Sequence, residues 1–220
     1  MTTKLVLFDL DNTLLSGDSD FEWGQFLIEK GLLDREVHEA KNREFYEQYK
    51  AGTLDIGLFL DFQLQPLSRH SRIQLEEWRR EFIQQKILPL ITPAAREIVN
   101  NQKNSLTAII TATNSFVTRP IADALGVAHL IATEPETRDG EFTGRVAGAP
   151  CFREGKITRL NEWLDSRATS LKEFESSHFY SDSLNDLPLL SAVTNPVAVD
   201  PDPTLRAHAE THGWPIISLR

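Results

Sequence analysis

The 220-residue chain carries 23 basic against 32 acidic side chains, a net charge of −9 and a pI near 5.2, which excludes a basic surface able to neutralise nucleic-acid phosphates or bind an anionic membrane. Hydrophobic residues at 40% and charged residues at 25% describe an ordinary folded protein and exclude a disordered one. A single cysteine, Cys151, excludes an internal disulfide and a thiolate zinc cluster, and reads as a buried thiol.

The first predicted element is the apolar strand Leu5–Leu10, which empties into Asp9, Asp11, Asn12 and Thr13. It is too short, and too soon broken by Asp9, for a signal peptide or a membrane span, so a cytoplasmic protein is expected. Carboxylates one residue apart repel each other, which predicts a positive partner, and hard oxygen ligands suit Mg²⁺. From about Leu15 to Leu88 there is no strand pattern. The predicted helices are Phe21–Lys30, Asp34–Lys50, Ile56–Leu64 and Arg72–Gln85, broken at Gly31, Gly52 and Pro66. Trp23, Phe45, Tyr46 and Phe62 read as the core of this insertion. Pro89 and Pro93 mark the return to a sheet domain.

Strand Leu106–Thr111 follows, then helical spacing over Ile121–Leu125 after Pro120. Asp139-Gly140 then predicts a hairpin turn, with Glu141-Phe142-Thr143 returning at a sheet edge. Ile157, Leu160, Trp163 and Leu164 have helical spacing. Strand Phe179–Ser181 runs into Asp182, Ser183, Leu184, Asn185 and Asp186, and Val197–Val199 and Pro215–Ile217 read as the last strands. Strands alternating with helices predict an α/β fold with a parallel sheet. Residues 1–14 and 89–220 form its core, and residues 15–88 form an inserted, all-helical cap domain placed to close over the site. A parallel sheet gathers ligands at the carboxyl ends of its strands, so Asp182 is expected to join Asp9 and Asp11 there. Taken singly, each of these aspartates also reads as a turn residue or a helix cap. The six histidines show no ligand spacing and read as surface or cap residues.

Four segments together resemble the haloacid dehalogenase superfamily, and within it the phosphoserine-phosphatase-like branch with a helical cap and a Rossmann-like core. They are Phe8-Asp9-Leu10-Asp11-Asn12-Thr13, Ala108-Ile109-Ile110-Thr111, Glu154-Gly155-Lys156-Ile157 and Ser181-Asp182-Ser183-Leu184-Asn185-Asp186. The resemblance implies Asp9 as nucleophile, Asp11 as acid and base, and Thr111 and Lys156 as phosphate-binding groups. It also implies Mg²⁺ ligated by Asp9, the Asp11 backbone and Asp182, with Asn185 and Asp186 in its outer shell. Ser181 stands where the family often has glycine, with little effect expected.

The implied substrate is a small-molecule phosphate ester, because dehalogenases usually lack the second aspartate. By the same resemblance an acidic residue shortly after the first motif binds a substrate amine. Asp18 stands at that distance, with Asp20 beside it. The branch's cap arginine, which holds a substrate carboxylate, aligns with Asp61, although Arg43 or Arg69 could replace it. An amine without a carboxylate fits histidinol phosphate, the substrate of some bacterial members that are close to this chain in Phe8–Thr13 and Tyr180–Leu190. Phosphoserine is the second reading. A phosphotransferase or mutase, or a non-catalytic phosphate-binding protein, are readings from other classes.

Overall fold

The computed structural model describes residues 4–220; residues 1–3 of the expected core lie outside this range. The chain enters on β1 (Lys4–Phe8), makes a tight turn over Leu10–Leu14, and passes into α1 (Ser19–Glu29), α2 (Arg35–Lys50), α3 (Ile56–Leu64) and α4 (Arg72–Phe82). It then continues through α5 (Pro93–Asn100), β2 (Leu106–Asn114), α6 (Ser115–Ala124), β3 (His129–Arg138), β4 (Glu141–Ala147) and α7 (Glu154–Asp165). Last come β5 (Ser176–Ser181), α8 (Leu187–Leu190), β6 (Asn195–Val199), α9 (Pro203–His212) and β7 (Ile216–Ile217).

The strands form one seven-stranded sheet in the order β4-β3-β2-β1-β5-β6-β7. Every neighbouring pair is parallel except β3 with β4. Helices cover both faces of a parallel sheet, which is why β1 is a continuous apolar run and not an alternating one. Leu5 through Phe8 are fully buried, with Val6 and Phe8 in one core and Leu5 and Leu7 in the other. The first core runs on into the insertion through Trp23, Phe26, Leu60, Leu75 and Phe82, so α1, α3 and α4 pack into the core on one face of the sheet.

Each insertion helix begins on a side-chain cap: Asp18, Asp34, Asp55 and Ser71 accept backbone N–H groups of their own first turns. The two crossings between core and insertion are bonded together. Leu15 and Ile91 form an antiparallel bridge, and the Ser16 backbone N–H donates to the Leu90 carbonyl at 2.9 Å. Among the described residues no helix is long and apolar enough to cross a membrane.

Several expected boundaries move. β1 ends at Phe8, because Asn12 takes a positive φ of 57° and the chain winds back over Leu10–Leu14. The last helix of the insertion ends at Phe82 and loosens into a wider turn over Ile83–Ile87. β2 continues past Thr111 to Asn114, and α6 starts before Pro120. Pro120 cannot donate to the Phe116 carbonyl one turn back; that carbonyl accepts instead from Arg79 of α4 at 2.7 Å. The Asp139-Gly140 turn has φ of 52° and 86°, as a two-residue hairpin requires, and sets β4 at the sheet edge. Tyr46, expected in the insertion core, is 59% exposed, whereas Trp23 and Phe45 are buried and Phe62 is half-buried against the buried ring of His38.

Candidate active site

Parallel register brings the acidic segments together. Phe8 pairs with Tyr180 and with Ile109, so Asp9 and Ser181 leave the sheet side by side, and the Asp9 N–H donates to the Tyr180 carbonyl at 2.9 Å. Thr13, carried back by the Leu10–Leu14 turn, ties the two motifs. Its hydroxyl donates to Asp182 Oδ1 at 3.0 Å with Asp9 Oδ2 at 3.4 Å, and accepts the Asp182 N–H at 3.1 Å.

Lys156 rises from the first turn of α7. Gly155 before it is required: a Cβ there would lie 2.0 Å from the Pro150 carbonyl oxygen. The ammonium is 2% exposed and bonds Asp9 Oδ1 and Asp186 Oδ2, each at 2.7 Å. Burial lowers its pKa, but Asp186 and Asp9 outweigh burial and raise it overall. Asp186 also accepts from Ser181 Oγ at 2.6 Å. The Ser181 hydroxyl thus orients the lysine's partner.

Asp11, two residues beyond Asp9, is held by other partners than Lys156. Its carboxylate accepts from the Ser19 N–H at 2.6 Å and Thr113 Oγ1 at 2.8 Å, with Thr111 Oγ1 at 3.5 Å. Thr111 and Thr113 share a face because strand side chains alternate. That period-two signal was in the sequence, but the predicted strand stopped too early to use it. Asp18 caps α1 through the Phe21 N–H at 2.9 Å, and its carboxylate is open to the cavity. Asp20 is 5% exposed and accepts the Asn114 amide at 3.3 Å.

Asn185 faces the insertion. Its Oδ1 accepts Arg153 Nε at 2.9 Å, and its amide reaches the Tyr49 carbonyl at 3.4 Å. Arg153 holds a positive φ of 51° and also donates to the Gly52 carbonyl at 2.6 Å, while Tyr49 donates to Ser183 Oγ at 2.6 Å. Sequence reasoning missed Thr113, Tyr49 and Arg153, whose partners lie in distant segments. Most of these groups line one cavity of about 990 Å³ between the sheet and the insertion, with Arg43 on its wall and Arg153, Asp61 and Arg69 outside its lining.

The electrostatics are unbalanced. Burial raises Asp9 to about 7, against the pull of Lys156 and with the push of Asp186, and burial and Asp18 raise Asp11 to about 6. Asp182 is raised well above the usual range by burial, Asp9 and Asp186, and Asp20 by burial, Asp18 and Asp11. One buried ammonium does not neutralise this set, and a hard cation between Asp9 and Asp182 fits the oxygen donors present. Among the described residues no three His, Cys, Asp or Glu side chains form a metal cage.

A stability effect follows with a definite sign. Between the unfolded value of 3.8 and the native values of about 7 and 6, the unfolded chain releases these protons first, so stability falls as pH rises. In EDTA the melting temperature is expected to drop from about pH 5 to about pH 7.5, and Mg²⁺ should restore it mainly at the higher pH. Calorimetry showing a rise with pH in EDTA and no response to Mg²⁺ would contradict this.

The fold and site belong to one class of protein. A family model for haloacid dehalogenase-like hydrolases matches residues 6–191, and the chain belongs to that family. Within it, the protein is a phosphatase. A histidinol-phosphatase of Neisseria meningitidis serogroup C (strain 8013) is 46% identical over 220 residues, covering 99% of each chain. A crystal structure of a protein of unknown function from Bordetella pertussis Tohama I shares 47% identity and a TM-score of 0.94 over 100% of both chains. A phosphoserine phosphatase in a phospho-aspartyl intermediate analogue form has a TM-score of 0.70 at 19% identity, over 100% of this chain and 95% of that one, which shows the shared fold.

Proposed function

We propose that this phosphatase hydrolyses a small amino-alcohol phosphate, histidinol phosphate above others, through a phosphoryl group carried on Asp9. One observation supports this most directly: Asp9 is fixed on one oxygen by Lys156, while Thr13 holds it against Asp182 at the floor of a cavity whose Asp18 is open and without a cation among the described residues. A carboxylate so placed can attack phosphorus, forming an O–P bond as the ester P–O bond breaks. Asp11 gives its proton to the leaving alkoxide, then takes one from the water that attacks phosphorus and frees Asp9. A pKa near 6 suits a group that must do both.

Thr111 and Lys156 bind the equatorial oxygens. Mg²⁺, held by Asp9, the Asp11 carbonyl and Asp182 with Asn185 and Asp186 around them, would supply charge neutralisation at the phosphoryl group. Asp18 attracts the substrate ammonium, with Asp20 beside it able to share that role. Residues 15–88 act as the cap that excludes water. Arg43 on the cavity wall favours phosphoserine as a second reading, because its guanidinium could hold a carboxylate.

Phosphate release from histidinol phosphate, L-phosphoserine and amine-free sugar phosphates tests this. A kcat/KM at least about tenfold higher for histidinol phosphate, or about 1.4 kcal/mol, is expected, with all release stopped by excess EDTA. Preference for phosphoserine would move the assignment to the second reading, and full activity in EDTA would remove the metal.

A further inference from the structure

The insertion meets the rest of the molecule in two different ways. Helices α1, α3 and α4 send apolar side chains into the first core, but α2 places no residue in either core. Its buried residues, His38 and Phe45, pack within the insertion, Phe45 against Phe59 and Phe62 and His38 against Phe62. At its C-terminal turn α2 reaches the sheet domain through hydrogen bonds and a loose contact of Tyr49 with Phe152, ring centroids 6.3 Å apart.

Three bonds converge on that turn. Tyr49 donates its hydroxyl to Ser183 Oγ at 2.6 Å, the Asn185 amide reaches the Tyr49 carbonyl at 3.4 Å, and Arg153 Nη2 donates to the Gly52 carbonyl at 2.6 Å. Arg153 Nε donates to Asn185 Oδ1 at 2.9 Å, which closes the ring of contacts. An arginine only donates and a carbonyl only accepts, so the two ends of the Asn185 amide have a single consistent arrangement. Both acceptors of the guanidinium are neutral oxygens, one of them just past a helix C-terminus, where a cation is favoured.

Arg153 is costly to place. Its φ of 51° lies where a residue other than glycine is strained, and it stands three positions before Lys156. Glycine would take the same backbone without strain. What arginine adds here is its guanidinium, which lies over the Phe152 ring at 5.0 Å.

We propose that Arg153 is a positioning residue for hydrolysis. By bridging Gly52 and Asn185 it seats the C-terminal turn of α2 over the site, holds Tyr49 against Ser183, and fixes the Asn185 amide in the segment that carries Asp182 and Asp186. Arg153 is not part of the cavity lining and acts through these partners. It ties the lysine segment, the Asp182 segment and the insertion into one arrangement, whichever phosphate ester is the substrate.

The test uses Arg153→Gly, which accepts the positive φ and removes the guanidinium, and Arg153→Met, which keeps an unbranched stem, in the full chain with Mg²⁺. Both variants should melt close to wild type. Amide hydrogen exchange over residues 47–53 should be at least about tenfold faster in both, with α4 unchanged. For the ester that wild type hydrolyses fastest among those above, kcat should fall and KM rise together, lowering kcat/KM at least about tenfold, as when a closing segment no longer seats. Tyr49→Phe should move both readouts in the same direction. Combined with Arg153→Gly, its effect should be less than multiplicative, because both changes act on one turn. A kcat that falls alone, with exchange faster in α4 as well, would show a merely structural role and overturn the proposal. So would wild-type kcat and KM in Arg153→Gly, whether or not the turn exchanges faster.

Discussion

Asp9→Asn is expected to cut phosphate release from every ester by at least about 10³-fold, equivalent to about 4 kcal/mol of transition-state stabilisation, because an amide is a poor nucleophile. The same change should not weaken the fold. Asp9 titrates at about 7 in the native protein, so its ionised form is disfavoured there relative to a neutral group of the same shape. In the absence of metal, the amide should melt at or above the wild-type temperature at about pH 7.5. Wild type should gain more from Mg²⁺ than the variant does. Single-turnover assays and thermal melts run in parallel separate the two effects. An active, or a cleanly unfolded, variant would overturn the assignment of Asp9 as nucleophile on a structurally tolerant site.

Lys156→Met is expected to cost stability as well as turnover. The ammonium is the partner of two buried carboxylates at 2.7 Å, and those side chains are 10% and 4% exposed. Removing one member of a buried ion network leaves the others without compensation, at about 3–5 kcal/mol. Urea unfolding should show that loss near neutral pH and a smaller one near pH 5, where the raised Asp9 carboxyl is protonated. Turnover should fall as well. Lys156→Arg should not restore stability, since a planar guanidinium does not fit the space of a compact ammonium. Unfolding midpoints that match wild type at both pH values would mean that the network does not hold the fold together.

The site was legible in the sequence where chemistry sits in short runs at strand ends, as at Asp9-Leu10-Asp11 and Ser181-Asp182. Helical stripes were equally plain, so α2 and α3 lie nearly where their spacing put them. β3 was visible only at its hairpin end. Its buried stretch, Ile131–Thr133, is brief, and its second half, Glu134–Arg138, is polar because it projects with β4 at the open edge of the sheet. Contacts between segments distant in the chain could not be read at all: Tyr49 with Ser183, Arg153 with Gly52, and Arg79 with the carbonyl freed by Pro120. These depend on the docking of the insertion and leave no local pattern. Tyr46 illustrates the converse, since helical spacing alone does not tell an inward core face from one that faces a cavity.

The bridge between Leu15 and Ile91 puts the entry and exit of the helical insertion side by side, about 5 Å apart. A short turn could close that gap, and so could any other module whose ends emerge as a hairpin. The insertion is in effect a cassette. Exchange at two neighbouring crossings would leave Asp9, Lys156 and Asp182 outside the exchanged segment, while any replacement would have to supply again the Ser19 N–H that holds Asp11.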